Sequence, residues 1–186
     1  MIGFRKGIFL AIILTIAGCE KKQSTVQTQL ERGKYLVTVG GCHDCHTPKI
    51  MGSGGVPAPD EKRLLSGHPE KERYPRWAPT DMQERNAMAL TNSMLTAWSG
   101  PWGVSFAINL TPDKATGIGE WSEHHFTDAM RTGEHQGQPN GRDILPPMPW
   151  FNYKIMSDDD LKAMWAYLRS IPAIQNQVPL PQPPKK

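Results

Sequence analysis

Two cysteines three residues apart, with a histidine directly behind the second, constrain this chain more than any other feature: Cys42-His43-Asp44-Cys45-His46. Thiols at that spacing can each add to a vinyl group on one edge of a porphyrin. The histidine that follows can turn under the ring and offer a nitrogen to its iron, the C-x-x-C-H pattern of covalent haem attachment. Such a chain must wall in a flat apolar group, supply a ligand for the other face of the iron, and reach a compartment where attachment is possible. A zinc ribbon would need four ligands, and there is no second cysteine pair. A thioredoxin-like dithiol would sit in a βαβ context that the hydropathy pattern does not provide.

The N-terminus points to export. Arg5 and Lys6 precede an apolar run from Gly7 to Ala17, too short to cross a bilayer as a stable helix. The run closes on Ile16-Ala17-Gly18-Cys19, which resembles the lipobox of a bacterial lipoprotein signal peptide. The resemblance implies a leader over residues 1–18 and a lipid on Cys19; the plainer alternative is an ordinary signal peptide that ends near a cysteine. Several acyl chains there would make a stable membrane anchor, where one would be marginal. The three cysteines, Cys19, Cys42 and Cys45, would then all be used, with no free thiol and no disulfide. The expected location is the periplasmic side of a bacterial membrane. Glu20 is not the aspartate that typically keeps such proteins at the inner membrane, which leaves the choice of membrane open.

Charge excludes one class of partner. Losing Arg5 and Lys6 with the leader takes the formal +3 to +1, and two haem carboxylates would bring it near −1. No basic block or aromatic–basic interleaving suggests nucleic acid.

Residues 20–29 are polar without apolar periodicity and are expected to form a flexible tether. Leu30, Tyr35, Leu36 and Val39 then mark one face of a short helix that Gly40-Gly41 stops just before the motif. A glycine inside a helix costs about 1 kcal/mol relative to alanine, so Gly33 is expected to serve packing. Near the other end, Ser157 caps a helix opened by three aspartates and continued by Leu161, Met164, Trp165 and Leu168, with Pro172 ending it. Its aromatic face is expected to rest on Gly33. A third helix runs from Trp121 to Arg131, capped by Ser122 and ended by Gly133.

Residues 49–105, rich in glycine and proline, read as a long irregular insertion with at most a short helix over Asp81–Leu90. Its Trp77, Trp98 and Trp102, with Phe106 just beyond, could pack it against the haem edge. No strand and no internal repeat is predicted, and the Pro-rich tail over 173–186 is expected to be extended and loosely held. The predicted fold class is all-α: one domain over residues 30–172, with N- and C-terminal helices packed together.

His46 takes one axial position, and the other calls for a thioether or a second imidazole. Met148 is the first choice among nine methionines. In Ile144-Leu145-Pro146-Pro147-Met148-Pro149-Trp150 the prolines restrict φ and can hold a thioether in place without a regular element. Met130, Met156 and Met164 fall in or beside helices, as core filler. His68 and His135 are the histidine alternatives; His43 lies inside the attachment loop, and His124 and His125 lie on the third helix.

With those residues placed, the chain resembles the bacterial cytochrome c family over roughly residues 30–172. More narrowly, Asn109-Leu110-Thr111-Pro112-Asp113, Thr116-Gly117-Ile118-Gly119-x-Trp121-Ser122, Met130-Arg131-Thr132-Gly133 and Pro147-Met148-Pro149-Trp150 are similar to single-haem units of one subgroup. That subgroup includes the cytochrome subunits of membrane-bound alcohol and sugar-acid dehydrogenases. The resemblance implies three or more helices around one covalent haem c, thioethers at Cys42 and Cys45, and axial His46 and Met148. It also implies one-electron relay from a dehydrogenase or quinol-linked donor to an oxidase or reductase, without catalysis by the chain alone. The long region from Met51 to Trp102 and the presence of one haem motif rather than several are departures from the subgroup. Arg142 and Trp121 are candidates for contacts to the haem carboxylates, the alternative being a surface arginine and a core tryptophan. Short cytochromes place a proline carbonyl on the second nitrogen of the ligand histidine, which suggests Pro57 or Pro59 for His46. The rival functions are a haem-based small-molecule sensor and a peroxidase-type enzyme, both of which need a displaceable sixth ligand.

Overall fold

Two helices from opposite ends of the chain cross where Gly33 removes a side chain. In the computed structural model, which describes residues 20–184, these are α1 (Glu20–Val39) and α6 (Asp158–Ser170). The leader and Cys19 lie outside the described residues. A Cβ on Gly33 would sit 2.0 Å from the Ala163 carbonyl oxygen and 2.8 Å from Tyr167 Cβ, so the two backbones touch as expected. Val37, Leu161, Met164 and Leu168 belong to the buried core around the crossing. Arg32 Nε donates to Asp160 Oδ1 across its outer edge at 2.9 Å. Ser157 caps α6, its Oγ accepting from the Asp160 N–H.

After α2 (Cys42–His46) and α3 (Pro79–Arg85), the third core helix is α4 (Glu123–Thr132). Ser122 Oγ accepts from the His125 N–H, and His125 Nδ1 accepts from the Ser122 N–H in return. Phe126 stacks on Trp165 of α6 with 5.8 Å between ring centroids.

The tether expected over residues 20–29 is instead the first half of α1. Glutamate, lysine and glutamine are good helix formers, and Gln27 Nε2 bonds Glu31 Oε1 across one turn at 3.0 Å. Val26 through Gln29 are exposed. A solvent-exposed helical stretch carries no apolar stripe from which to read it.

The all-α expectation needs a second correction, because the described residues hold six helices and five short strands. β1 (Lys49–Met51) pairs antiparallel with β2 (Pro57–Pro59). β3 (Leu90–Thr91), β4 (Ala97–Gly100) and β5 (Gly103–Phe106) form an antiparallel sheet in that order, with Trp98 opposite Ser105. Strands of two to four residues offer too few positions for alternation to show. The short helix α3 starts at Pro79, where a missing N–H costs nothing, rather than at Asp81.

The tail after Pro172 is extended but firmly tied, contrary to the expectation of a loose end. Asn109 Nδ2 donates to the Ile174 carbonyl at 2.7 Å, and the Ile174 N–H donates to Thr111 Oγ1 at 3.0 Å. Asn176 Nδ2 reaches the carbonyls of Ser66 (2.7 Å) and His68 (2.9 Å). Gln182 bridges Val104 as a short antiparallel pair. Removing the Asn176 amide strips donors from two carbonyls, so Asn176→Ala is expected to cost about 2–3 kcal/mol. A thermal melt should then show a midpoint roughly 5–10 °C lower; an unchanged midpoint would mean the tail is not held there.

Candidate functional site

The motif occupies α2, a helix of five residues. Gly41 precedes it with φ 70°, a left-handed conformation that lets the chain leave α1 and re-enter a helix at once. Tyr153 Oη, from α5 (Trp150–Tyr153), donates to the Gly40 carbonyl at 2.5 Å and so ties this junction to the element just after Met148. Thr47 is fully buried; its Oγ1 accepts from the Leu65 N–H and pairs with His43 Nδ1, both at 2.9 Å. The Gly67 N–H donates to the His46 carbonyl at 2.8 Å. Lys49 Nζ donates to the carbonyls of His43, Asp44 and Thr47 at 2.9, 2.9 and 2.5 Å.

A cavity of about 360 Å³ opens against this turn, within the roughly 300–1,000 Å³ typical of cofactor sites. Cys42, Cys45 and His46 line it, as does Met148 with its flanking prolines. Phe126, Met130, Met164 and Leu168 contribute from the core helices, and Trp98 and Phe106 from the sheet, leaving a wall that is overwhelmingly apolar. Met130 and Met164, expected as core filler, therefore face the cavity as well.

His46 is buried, and its Nδ1–H donates to the Ile108 carbonyl at 2.7 Å, which leaves Nε2 unprotonated. Burial takes its pKa down to about 4, so the ring is a neutral imidazole able to bind a metal. The suggested carbonyl partners Pro57 and Pro59 are not used: β2 pairs with β1, and the partner comes from just beyond β5. Burial pushes the Cys42 thiol up to about 12, and neither Cys42 nor Cys45 is in a disulfide. A thiol held protonated exchanges poorly, which disfavours a dithiol redox pair. Two thiols and a neutral imidazole on one edge of an apolar slot fit a covalently attached haem.

Met148 sits on a segment that the sheet supports, because Ser105 Oγ donates to the Pro146 carbonyl at 2.5 Å. His68 is engaged elsewhere: its Nδ1 pairs with Thr96 Oγ1 (2.9 Å), its Nε2 with the Glu72 carbonyl (3.3 Å), and its ring packs on Phe106. His135 does line the cavity, edge-on to Trp121 with 5.8 Å between centroids.

The polar corner of the cavity is formed by Trp121, His135, Gln136 and Arg142, and continues into a smaller space of about 160 Å³ beneath residues 177–181. Arg142 Nη1 donates to the Asp143 carbonyl at 3.2 Å, and among the described residues it has no ion-pair partner. Burial lowers its pKa, and burial with the nearby Arg142 charge takes His135 down to about 4. A guanidinium at the cavity's edge without a carboxylate partner fits an anion supplied by a ligand. Sequence reasoning missed Tyr153, Lys49, Ser105 and Ile108. Tyr153, Ser105 and Ile108 act on partners 41 to 113 residues away, which no local pattern marks.

Comparison with known proteins gives the same answer as the geometry. A family model described as cytochrome c matches residues 30–172. The chain is 33% identical over 138 residues to the gluconate 2-dehydrogenase cytochrome c subunit of Pantoea cypripedii, covering 74% of this chain and 22% of that protein. It is 32% identical over 164 residues to the fructose dehydrogenase cytochrome subunit of Gluconobacter japonicus (85% and 26%). It is 23% identical over 180 residues to the cytochrome c subunit of the quinone-dependent alcohol dehydrogenase of Gluconobacter oxydans (95% and 29%). The chain thus spans less than a third of the length of these relatives.

Proposed function

The chain belongs to the cytochrome c family, whose members carry covalently bound haem c, and we propose that it is a membrane-anchored carrier relaying single electrons through one haem ligated by His46 and Met148. Its relatives include cytochrome subunits of dehydrogenases, so electron transfer is the function class. When bound, the haem supplies a one-electron couple at its iron. The chain supplies everything that makes the couple usable. Cys42 and Cys45 fix one edge of the ring, and His46 offers a neutral nitrogen whose orientation Ile108 sets. Met148 offers a thioether on a segment supported by Ser105. His/Met ligation raises the potential relative to harder ligands. The apolar wall excludes water, and fixed ligands keep reorganisation small. The observation that carries this reading is one apolar cavity shared by Cys42, Cys45, His46 and Met148. Arg142 and Trp121, at its polar corner, are the donors for the haem carboxylates.

The anchor is the lipid on Cys19, at the periplasmic side of the membrane. Because residues 20–29 are helical in α1, they would hold the domain off the surface on roughly 15 Å of helix. The donor is a dehydrogenase, by analogy with the named relatives, or a quinol-linked complex, and the relay then needs an acceptor, for which an oxidase or reductase is the proposed class. Cells making wild type or Cys19→Ser test both parts. Wild type is expected to sediment with membranes, and its haem to be reduced when substrate for a resident membrane dehydrogenase is added. Cys19→Ser is expected in the soluble periplasmic fraction with its haem intact. A haem that stays oxidised while the dehydrogenase turns over would sink the carrier reading. A Cys19→Ser protein that remains on the membrane would sink the anchor.

A further inference from the structure

We propose that Lys49 closes the haem-binding turn and that its ammonium raises the midpoint potential of the haem; the inference rests on the haem reading above. A helix of five residues cannot satisfy its own last carbonyls. In α2 the His46 carbonyl is taken by the Gly67 N–H and one acceptor site of the His43 carbonyl by the Thr47 N–H (3.3 Å). The carbonyls of Asp44 and Thr47, and the second acceptor site on His43, converge on Lys49 Nζ at 2.9, 2.5 and 2.9 Å. An ammonium has three donors, and here all three are used on the stretch that carries Cys45 and His46. A basic side chain on a helix's last carbonyls also offsets the negative end of its dipole.

The position is imposed by the fold. Lys49 is the first residue of β1, held in register with Pro59 of β2, so its side chain is directed back over the turn it follows. The ammonium is not neutralised by a contact, since among the described residues Lys49 has no ion-pair partner. Asp44, in the turn itself, acts on it only through space. Oxidation of the iron adds a positive charge, and a fixed, half-buried cation beside the turn opposes it. A neutral side chain would leave that opposition out, and a glutamine, with two donors, could not serve three carbonyls.

The test compares haem-loaded, full-length wild type with Lys49→Met, Lys49→Gln and Lys49→Arg. Haem retained after denaturation reports attachment, and spectroelectrochemical titration at low and high salt reports the midpoint. In Lys49→Met and Lys49→Gln the equilibrium constant for reduction is expected to fall about three- to tenfold, roughly 30–60 mV at 59 mV per decade. The gap to wild type is expected to narrow at high salt. Lys49→Arg keeps the charge but not the three-point convergence, so it should hold its potential yet melt at a lower temperature. Equal midpoints in wild type, Lys49→Met and Lys49→Gln would overturn the proposal. So would a fall in Lys49→Arg as large as in Lys49→Met, because the charge would then not be the cause. If Lys49→Met fails to take up haem, Lys49→Gln against Lys49→Arg makes the same comparison. Wild type without covalent haem would overturn the underlying reading instead.

Discussion

Gly33→Val is expected to destabilise the protein by more than about 3 kcal/mol and to lower its thermal midpoint by roughly 10 °C. The new Cβ would fall 2.0 Å from the Ala163 carbonyl oxygen and 2.6 Å from its carbon. Both are backbone atoms of α6, so no rotamer change relieves the clash and the helices must separate. Separation opens gaps among Val37, Leu161 and Leu168, and dispersion contacts are lost steeply with sub-ångström gaps. Gly33→Ala gives the sharper version of the test, because helix propensity and packing predict opposite signs there. Propensity alone favours alanine by about 1 kcal/mol, whereas the close approach predicts a clear loss. A melt in which Gly33→Ala equals or exceeds wild type would show that α1 and α6 do not touch at this point. The effect should also reach the cavity, because Met164 and Leu168 of α6 line it.

Met148→Ala is expected to keep covalent haem, since Cys42 and Cys45 are untouched, while its midpoint potential falls by a few tenths of a volt, within the roughly 0.8 V that axial ligation spans. The ferrous variant should bind carbon monoxide readily, where the wild type should bind it poorly. The physical reason is the removal of a soft sulfur from a segment that prolines and the Ser105 bond to Pro146 hold in place. Potentiometric titration and carbon monoxide difference spectra read both effects. A wild type that binds carbon monoxide as readily as the variant would favour the sensor or peroxidase-type reading. Equal potentials in the two proteins would remove Met148 from the iron.

Much of the frame was legible because its signals are local. Ser122 and Ser157 cap the helices they were expected to cap, and the apolar spacing of Leu161, Met164 and Leu168 marks a face that is indeed buried. Gly33 was legible as a packing glycine because its cost in a helix demands a reason. Legibility ends where the partner is distant or the element too short. The strands are shorter than the run needed to show a period of two. The Ile108 carbonyl that orients His46 lies 62 residues away. The tail was expected to be loose because its prolines suggested only an extended chain, while the side chains of Asn109 and Thr111 and the carbonyls of Ser66 and His68 that bind it are scattered along the sequence. The first half of α1 was missed for the opposite reason: Val26 through Gln29 are exposed, and hydropathy records only what is buried.

The insertion also gains a role that composition did not reveal. Its sheet brings Trp98 and Phe106 to the cavity wall and places Ser105 on the Pro146 carbonyl. Its first strand carries Lys49 onto the motif, and the chain leaving its last strand supplies Ile108 to His46. What looked like an irregular excursion is the support for both faces of the proposed haem.

The near-infrared spectrum of the oxidised, haem-loaded protein at neutral pH tests the central claim most directly. Ligation by His46 and Met148 predicts the weak sulfur-to-iron charge-transfer band in wild type and its absence in Met148→Ala. A wild-type spectrum without that band would contradict thioether ligation and turn attention to His135, the histidine other than His46 that lines the cavity.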